Sequence, residues 1–489
     1  MKSAPAYSTA ETIAKNTVFL TIGELGTRVL SFLLVIAIAR YLADAGLGAF
    51  AFAFAFTDIL LNFIDLGVPM YIAREMAKNK ASTGMYVSNA LGLRLLMVPA
   101  IPLIAIAMWL VAAFVIHATT PQTMLITALA LVGMIFNFLN DPFRMVFMAH
   151  ERDEYYSGLI ILERLMFTVA GFALLVNGFG LVAILAAFAG AQFISLLTTA
   201  YFVRKKFTNF TIGLDRKIIT SIVKNSAWFG AANFLRMAAQ RIDIVLLSVM
   251  QGFAVTGWYA AASRITESLR FIPLVVVPAI FPALSRLNAQ SKESAKLLFE
   301  KTFYYMLTAA IPIAVGVTLT ADRIIPFLYR QPEFYHSVLA LKLLVWAEAL
   351  LFLHYIMGFL LNAINKQHLF TMATFAYTVM NILLNIIMIP RYSYAGAATA
   401  ALVTQALAVL TLYYFCTKNG YGLNVLKLAY KPAIAAASMA LALAWMKSVH
   451  LLIAAPTAAL AYLAVLILIR GIGNEELQLV RKAVGMKRH

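Results

Sequence analysis

The chain has 489 residues, 62% of them hydrophobic and only 12% charged, with a formal charge of +18. So apolar a balance excludes a soluble globular domain, and a single cysteine, Cys416, excludes an internal disulfide framework. The basic excess does not point to nucleic acid, because it is sorted by loop rather than gathered on one face.

Apolar segments of about 20 residues run nearly end to end, the length a helix needs to cross a hydrocarbon core about 30 Å thick. Fourteen spans are predicted, at 17–39, 46–70, 86–115, 122–148, 155–177, 180–203, 226–249, 256–284, 301–321, 336–364, 368–390, 395–416, 432–447 and 451–470. Residues 1–16 are polar, and the first span carries Glu24 and Arg28, which the core of a cleavable signal would avoid. Inside the second span, Ala49 to Phe56 alternates Ala and Phe, a strand-like pattern. A helix is still expected, since it satisfies its own backbone in lipid and an isolated strand does not. Pro99 and Pro102 interrupt the third span, and Pro273, Pro278 and Pro282 the eighth. Each proline removes a backbone hydrogen bond and favours a kink. In the eighth span that suits a gating helix, or equally a static bend that packs.

With the N-terminus inside, the inside loops and tails hold 25 of the 39 Lys and Arg. The outside loops hold five (Arg40, Arg323, Arg330, Arg391 and Lys447) and the spans nine. This asymmetry places both termini in the cytoplasm. No phosphate-binding glycine loop, no room for a nucleotide-binding domain and no zinc-ligand spacing is visible. Neither cofactor nor metal is therefore expected, and no ATP hydrolysis within this chain is expected either.

The longest internal polar connector, 204–225, separates six spans from eight. A faint repeat crosses it. Lys15-Asn16 enters the first span and Lys224-Asn225 the seventh, and in each copy a glycine, Gly48 or Gly257, follows the Asn by 32 residues. Thr57 and Leu60 match Thr266 and Leu269 at the same offset. Even-numbered repeats imply parallel halves related by an axis along the membrane normal. The expected organisation is an N-terminal lobe at 1–203, a cytoplasmic connector at 204–225, a C-terminal lobe at 226–416, a helix pair at 417–470 and a cytoplasmic tail at 471–489.

The stretch Ala39 to Ala77 carries AlaArgTyrLeu at 39–42, Gly48, AspLeuGly at 65–67 and AlaArgGluMetAla at 73–77. In the second half, GlyTrpTyrAlaAlaAlaSerArg at 257–264 and PheProAlaLeuSerArg at 281–286 have the same character. With these motifs and its span count, the chain resembles the polysaccharide transporter family, the oligosaccharide flippases of Wzx type. Their superfamily also contains the multidrug and toxic-compound extrusion (MATE) transporters and the lipid II flippases. The resemblance runs over essentially the full length. One departure is AlaAspAlaGly at 43–46, where the family more often has a Gly followed by an acidic pair. The resemblance implies an all-α, MATE-like fold with two six-helix lobes plus a C-terminal helix pair. It also implies a place in the cytoplasmic (inner) membrane and outward flipping of a polyprenyl-diphosphate-linked glycan by alternating access. The partners it implies are the lipid-linked oligosaccharide, membrane lipids and a glycan polymerase or glycosyltransferases.

Intramembrane charges are costly unless paired or hydrated, so they carry the functional argument. The basic set is Arg28, Arg94, Arg144, Arg164, Arg236, Arg241, Arg264, Arg270 and Lys342. The acidic set is Glu24, Asp58, Asp65, Asp141, Glu163, Asp243, Glu267 and Glu348. Glu24/Arg28 and Arg264/Glu267 have the spacing to pair on one helix face. Asp141/Arg144 and Glu163/Arg164 suit structural pairing or snorkelling to an interface. In transporters resembling this one, spans 1, 7 and 8 border the cleft. Here they hold Arg28, Arg236, Arg241, Arg264 and Arg270 against Glu24, Asp243 and Glu267, a surplus of arginine that suits a diphosphate. These eight are the candidate substrate-binding residues. Asp58, Asn62 and Asp65 form a polar stripe on span 2, as Arg236, Gln240 and Asp243 do on span 7. Asp58, Asp65 and Glu348 are the candidates for ion coupling, and they keep open a cation-coupled drug exporter on the same fold. A membrane scaffold for glycan assembly is a further alternative, and an enzyme is not expected.

Overall fold

The structure, a computed structural model, describes residues 6–116 and 121–471. Apart from Gly471, the expected tail at 471–489 lies outside the described residues. Fifteen α-helices account for most of them: α1 (Ala6–Asp65), α2 (Val68–Lys78), α3 (Thr83–Met97), α4 (Ala100–Ile116), α5 (Pro121–Ala149), α6 (Asp153–Val176), α7 (Leu181–Lys206), α8 (Arg216–Gln251), α9 (Phe253–Leu269), α10 (Phe271–Gln290), α11 (Lys292–Tyr329), α12 (Ser337–Ala363), α13 (Gln367–Cys416), α14 (Val425–Trp445) and α15 (Leu451–Leu468). There is no strand among the described residues. The Ala/Phe alternation is helical: it places Phe50 against Phe54 and Phe52 against Phe56, with ring centroids 4.7 and 5.7 Å apart, at i,i+4.

Among the described residues, eleven helical stretches are long and apolar enough to cross a membrane. Two of them, Thr21–Asp65 and Gln367–Tyr421, each contain two of the predicted spans. The seventh span, within α8, is too rich in charge to qualify on hydropathy. With these three added, all fourteen predicted spans are helical, and the fold is that of a polytopic α-helical membrane protein.

The breaks have local causes. Spans 1 and 2 join through a kink at Ala43, with φ 56° and ψ −164°, and spans 11 and 12 through one at Ser393, with φ 55° and ψ −136°. Span 8 breaks at Arg270, between α9 and α10. The Pro273 ring lies where it meets the carbonyl of Leu269, four residues earlier, and it has no N–H to offer that carbonyl. Span 3 breaks in the same manner around Pro99, between α3 and α4.

The chain forms two compact units. One comprises 1–261 with 381–397, the other 262–380 with 398–489. The first unit thus takes α8 and the start of α9 along with the six spans before the connector. The connector itself is strapped to α3: Gly213 N donates to the Ser88 carbonyl at 3.0 Å, Thr211 N to Ser88 Oγ at 3.0 Å, and Asp215 N to Asn89 Oδ1 at 2.8 Å. Asp215 then caps α8 by accepting from Lys217 N and Ile218 N.

Within this unit the faint repeat becomes a contact. A Cβ on Gly48 would collide with the Phe253 carbonyl, and one on Gly257 with the Asp44 carbonyl. Both Gly48 and Gly257, and Asp44 and Phe253, stand 209 positions apart, the offset of the repeat. The two copies therefore cross backbone to backbone, each through its own glycine. Trp258 Nε1 donates to Asp44 Oδ2 at 2.8 Å beside this crossing, and its ring meets Tyr394 edge-on.

In the second unit α11, α12, α10 and the end of α13 share a core around Phe299, Phe303, Phe352 and Leu360. The α14–α15 pair packs on α11 through Met439, Ala454 and Tyr462, whose hydroxyl donates to the Thr308 carbonyl at 2.8 Å.

Candidate functional site

In the first unit, Asp58 and Asn62 of the span 2 stripe meet α8 where it packs on α1. Asp58 forms an ion pair with Arg241 at 3.3 Å. One turn further along α1, Asn62 Nδ2 donates to the Asp58 carbonyl at 2.9 Å, while Asn62 Oδ1 accepts from Asn233 Nδ2 at 2.7 Å. Asn233 Oδ1 in turn accepts from Arg236 Nη2 at 2.6 Å. Phe63 and Phe234 flank this chain, with ring centroids 5.3 Å apart. Among the described residues Arg236 makes no ion pair; its head is exposed and its hydrogen-bond partner is a neutral amide. Arg236 lies near the middle of span 7.

Asp65, the third member of the span 2 stripe, turns away from α8. It binds Arg94 of α3, whose side chain is fully buried. Arg94 also donates to Asp141 at 3.2 Å and to the Phe138 carbonyl, both on α5. Asp141 lies 3.7 Å from Arg144, and Arg144 binds Glu163 of α6. Glu163 completes its shell by accepting from Gln192 at 2.9 Å and Ser195 at 2.8 Å on α7. Asp65, Arg94, Asp141, Arg144 and Glu163, on spans 2 to 5, thus form one largely buried network, in which Glu163 pairs across to Arg144. Arg94 was visible in the sequence as an intramembrane charge with no acid at i±3 or i±4. That was the signal that its partners lie on other helices.

The other candidates pair as follows. Glu24 and Arg28 meet at 2.6 Å on one face of α1. Asp243 accepts from the Tyr259 hydroxyl and from its neighbour Ile244 N at 2.9 Å. In the second unit Arg264 lies 3.4 Å from Glu267 on α9. Arg270, at the break of span 8, places Nε 3.1 Å from both oxygens of Glu348 on α12, and Glu348 is only 4% exposed. The structure therefore brings Asp58 and Glu348 to arginines of the substrate-binding set and Asp65 to Arg94. Four of the five candidate arginines have a carboxylate, which leaves Arg236 as the one held by an amide. Among the described residues no three His, Cys, Asp or Glu side chains gather to hold a metal ion.

The model of the family described as "Polysaccharide biosynthesis protein" matches residues 13–288, more than half of the chain. The chain belongs to the polysaccharide biosynthesis protein family. The match takes in Arg28, Asp58, Arg94, Arg236, Arg241, Arg264 and Arg270, and ends before Glu348. Among curated members of similar sequence, the "Probable low-salt glycan biosynthesis flippase Agl15" of Haloferax volcanii is 25% identical over 175 residues, 35% of this chain and 37% of that protein. A "Putative O-antigen transporter" of Shigella flexneri is 22% identical over 236 residues, 48% of this chain and 56% of that one. The chain thus spans between about a third and somewhat over half of the length of these relatives. Among solved structures, the lipid II flippase MurJ in an inward closed conformation has a TM-score of 0.66 at 13% identity, covering 93% of this chain and 99% of that one. An inward-facing multidrug resistance MATE transporter has a TM-score of 0.62 at 17% identity, covering 82% and 98%. At such identities the likeness shows a common fold, here one shared by this polysaccharide biosynthesis family member.

Proposed function

We propose that this protein is a flippase, not an enzyme, that moves a polyprenyl-diphosphate-linked oligosaccharide from the inner to the outer leaflet of the cytoplasmic membrane by alternating access. Both termini would lie in the cytoplasm. A protein path for the glycan and diphosphate, with the polyprenyl tail left in lipid, removes most of the cost of carrying a polar headgroup through hydrocarbon. The family and the names of the curated relatives support this substrate class. The observation that carries the reading to a residue is Arg236. A guanidinium near mid-span, not neutralised by a carboxylate, keeps a full positive charge and most of its planar fork of donors for an anion. Arg28 and Arg264 are proposed as secondary contacts, since Glu24 and Glu267 share them. Asp58, Asp65 and Glu348 each face an arginine, so a cation-coupled exporter has fewer free carboxylates to work with.

The test is Arg236→Ala in cells. A charge-assisted contact is worth about 1.5–3 kcal/mol. Surface glycan should fall tenfold or more, while membrane levels of the protein and synthesis of the lipid-linked precursor stay normal. Arg236→Lys should restore only part, because a point charge loses the planar fork. A fully active Arg236→Ala protein would remove the residue from the site.

A further inference from the structure

The chain of amides behind Arg236 has a direction. Asn62 Nδ2 is committed to the Asp58 carbonyl at 2.9 Å, so its Oδ1 must face α8. There it accepts from Asn233 Nδ2 at 2.7 Å, and that bond turns Asn233 Oδ1 toward Arg236 Nη2 at 2.6 Å. Each bond specifies which end of the next amide is the acceptor. The chain starts on a main-chain carbonyl of α1 and ends on the guanidinium of α8. An Asp or Glu at position 233 would hold Arg236 at least as firmly, but it would cancel its charge. Elsewhere in the protein arginine is held that way: Arg241 by Asp58, Arg270 by Glu348 and Arg94 by Asp65.

We infer that Asn62 and Asn233 are positioning residues for substrate recognition. They fix the guanidinium of Arg236 in one orientation without neutralising it, so that it is presented to the diphosphate of a lipid-linked substrate. The inference rests on the flippase reading and deepens it, because it assigns the specificity for an anionic headgroup to a neutral anchor.

Asn233→Asp separates positioning from mere packing. It keeps the acceptor for Arg236 and the side-chain volume, adds a negative charge, and gives up the Nδ2 donor to Asn62 Oδ1. The purified protein in detergent is titrated with farnesyl diphosphate as the probe, and binding is read as a shift in melting temperature. Transport is read as surface glycan at graded precursor supply. For Asn233→Asp we expect a lower melting temperature without ligand, since its carboxylate faces Asn62 Oδ1, together with at least tenfold weaker binding by the folded protein and transport that recovers partly at high precursor supply. A purely structural Asn233 predicts wild-type binding by the folded protein, since the bond to Arg236 survives. Asn62→Leu leaves every charge in place but frees the Asn233 amide to turn. It should weaken binding three- to tenfold, and it decides the matter if Asn233→Asp fails to fold. Wild-type binding in folded Asn233→Asp, or in Asn62→Leu, overturns the inference. If Arg236→Ala is itself harmless, the flippase assignment of Arg236 falls first; if Arg236→Ala is severe and the asparagine variants are silent, only the positioning role falls.

Discussion

At the scale of single residues, Arg94 and Ala43 show opposite uses of a costly arrangement. Arg94 is wholly buried, and its charge is tolerated because Asp65, Asp141 and a carbonyl surround it. Removing one partner of such a set leaves uncompensated charge in a dry site. Arg94→Ala should therefore destabilise the protein by about 3–5 kcal/mol, seen as a lower melting temperature in detergent and reduced membrane levels. Ala43 occupies a backbone conformation, φ 56° and ψ −164°, that is nearly reserved for glycine. Here the departure from the family pattern at 43–46 meets its structural consequence, since a glycine would sit at that kink unstrained. Ala43→Gly should raise stability by about 1 kcal/mol, the relief of backbone strain less the entropy of a more flexible residue. Thermal unfolding checks it, and a lower melting temperature would count against the strain.

At the scale of elements, the decisive contact is the crossing of the second span with α9 at Gly48 and Gly257. Each glycine lies against a main-chain oxygen of the opposite helix. Backbone on both sides has little room to yield. Gly48→Ala and Gly257→Ala should each cost about 1–3 kcal/mol as overpacking. The double variant should cost clearly less than the sum, because one separation of the helices relieves both clashes. Thermal melting of the three proteins measures this, and strict additivity would show that the two glycines do not share a contact. The Asp44–Trp258 bond beside the crossing supplies a second readout, a changed tryptophan emission whenever the helices part.

At the scale of the whole molecule, the claim at stake is topology. The loops that the charge asymmetry assigns to the inside carry most of the Lys and Arg, and those assigned to the outside carry few. The native cysteine, Cys416, is buried, so introduced cysteines can be probed against a quiet background. Lys205→Cys should react with a membrane-impermeant maleimide only after the cells are opened, and Tyr335→Cys should react in intact cells. Both side chains are exposed. The reverse pattern would invert the orientation of the transporter and with it the direction of flipping.

The sequence by itself determined the class, the fourteen spans and the repeat offset. Span length, hydropathy and loop charge act locally and need no knowledge of which helix touches which. It also marked the intramembrane charges, and two of its pairings within one helix form, Glu24 with Arg28 and Arg264 with Glu267, because i,i+3 and i,i+4 spacing is a local rule. Pairings between helices were decided only by tertiary structure. Nothing in the order of residues says that Asp58 meets Arg241, that Glu348 meets Arg270, or that Arg94 reaches Asp65 from another helix. Tertiary structure also bound the connector to α3 and seated α8 against span 2, so that Asn62 came to orient the Asn233 amide on which Arg236 rests. Helix packing sets these contacts through the shapes of whole faces, and a charge surplus summed over spans carries no record of which face each residue occupies.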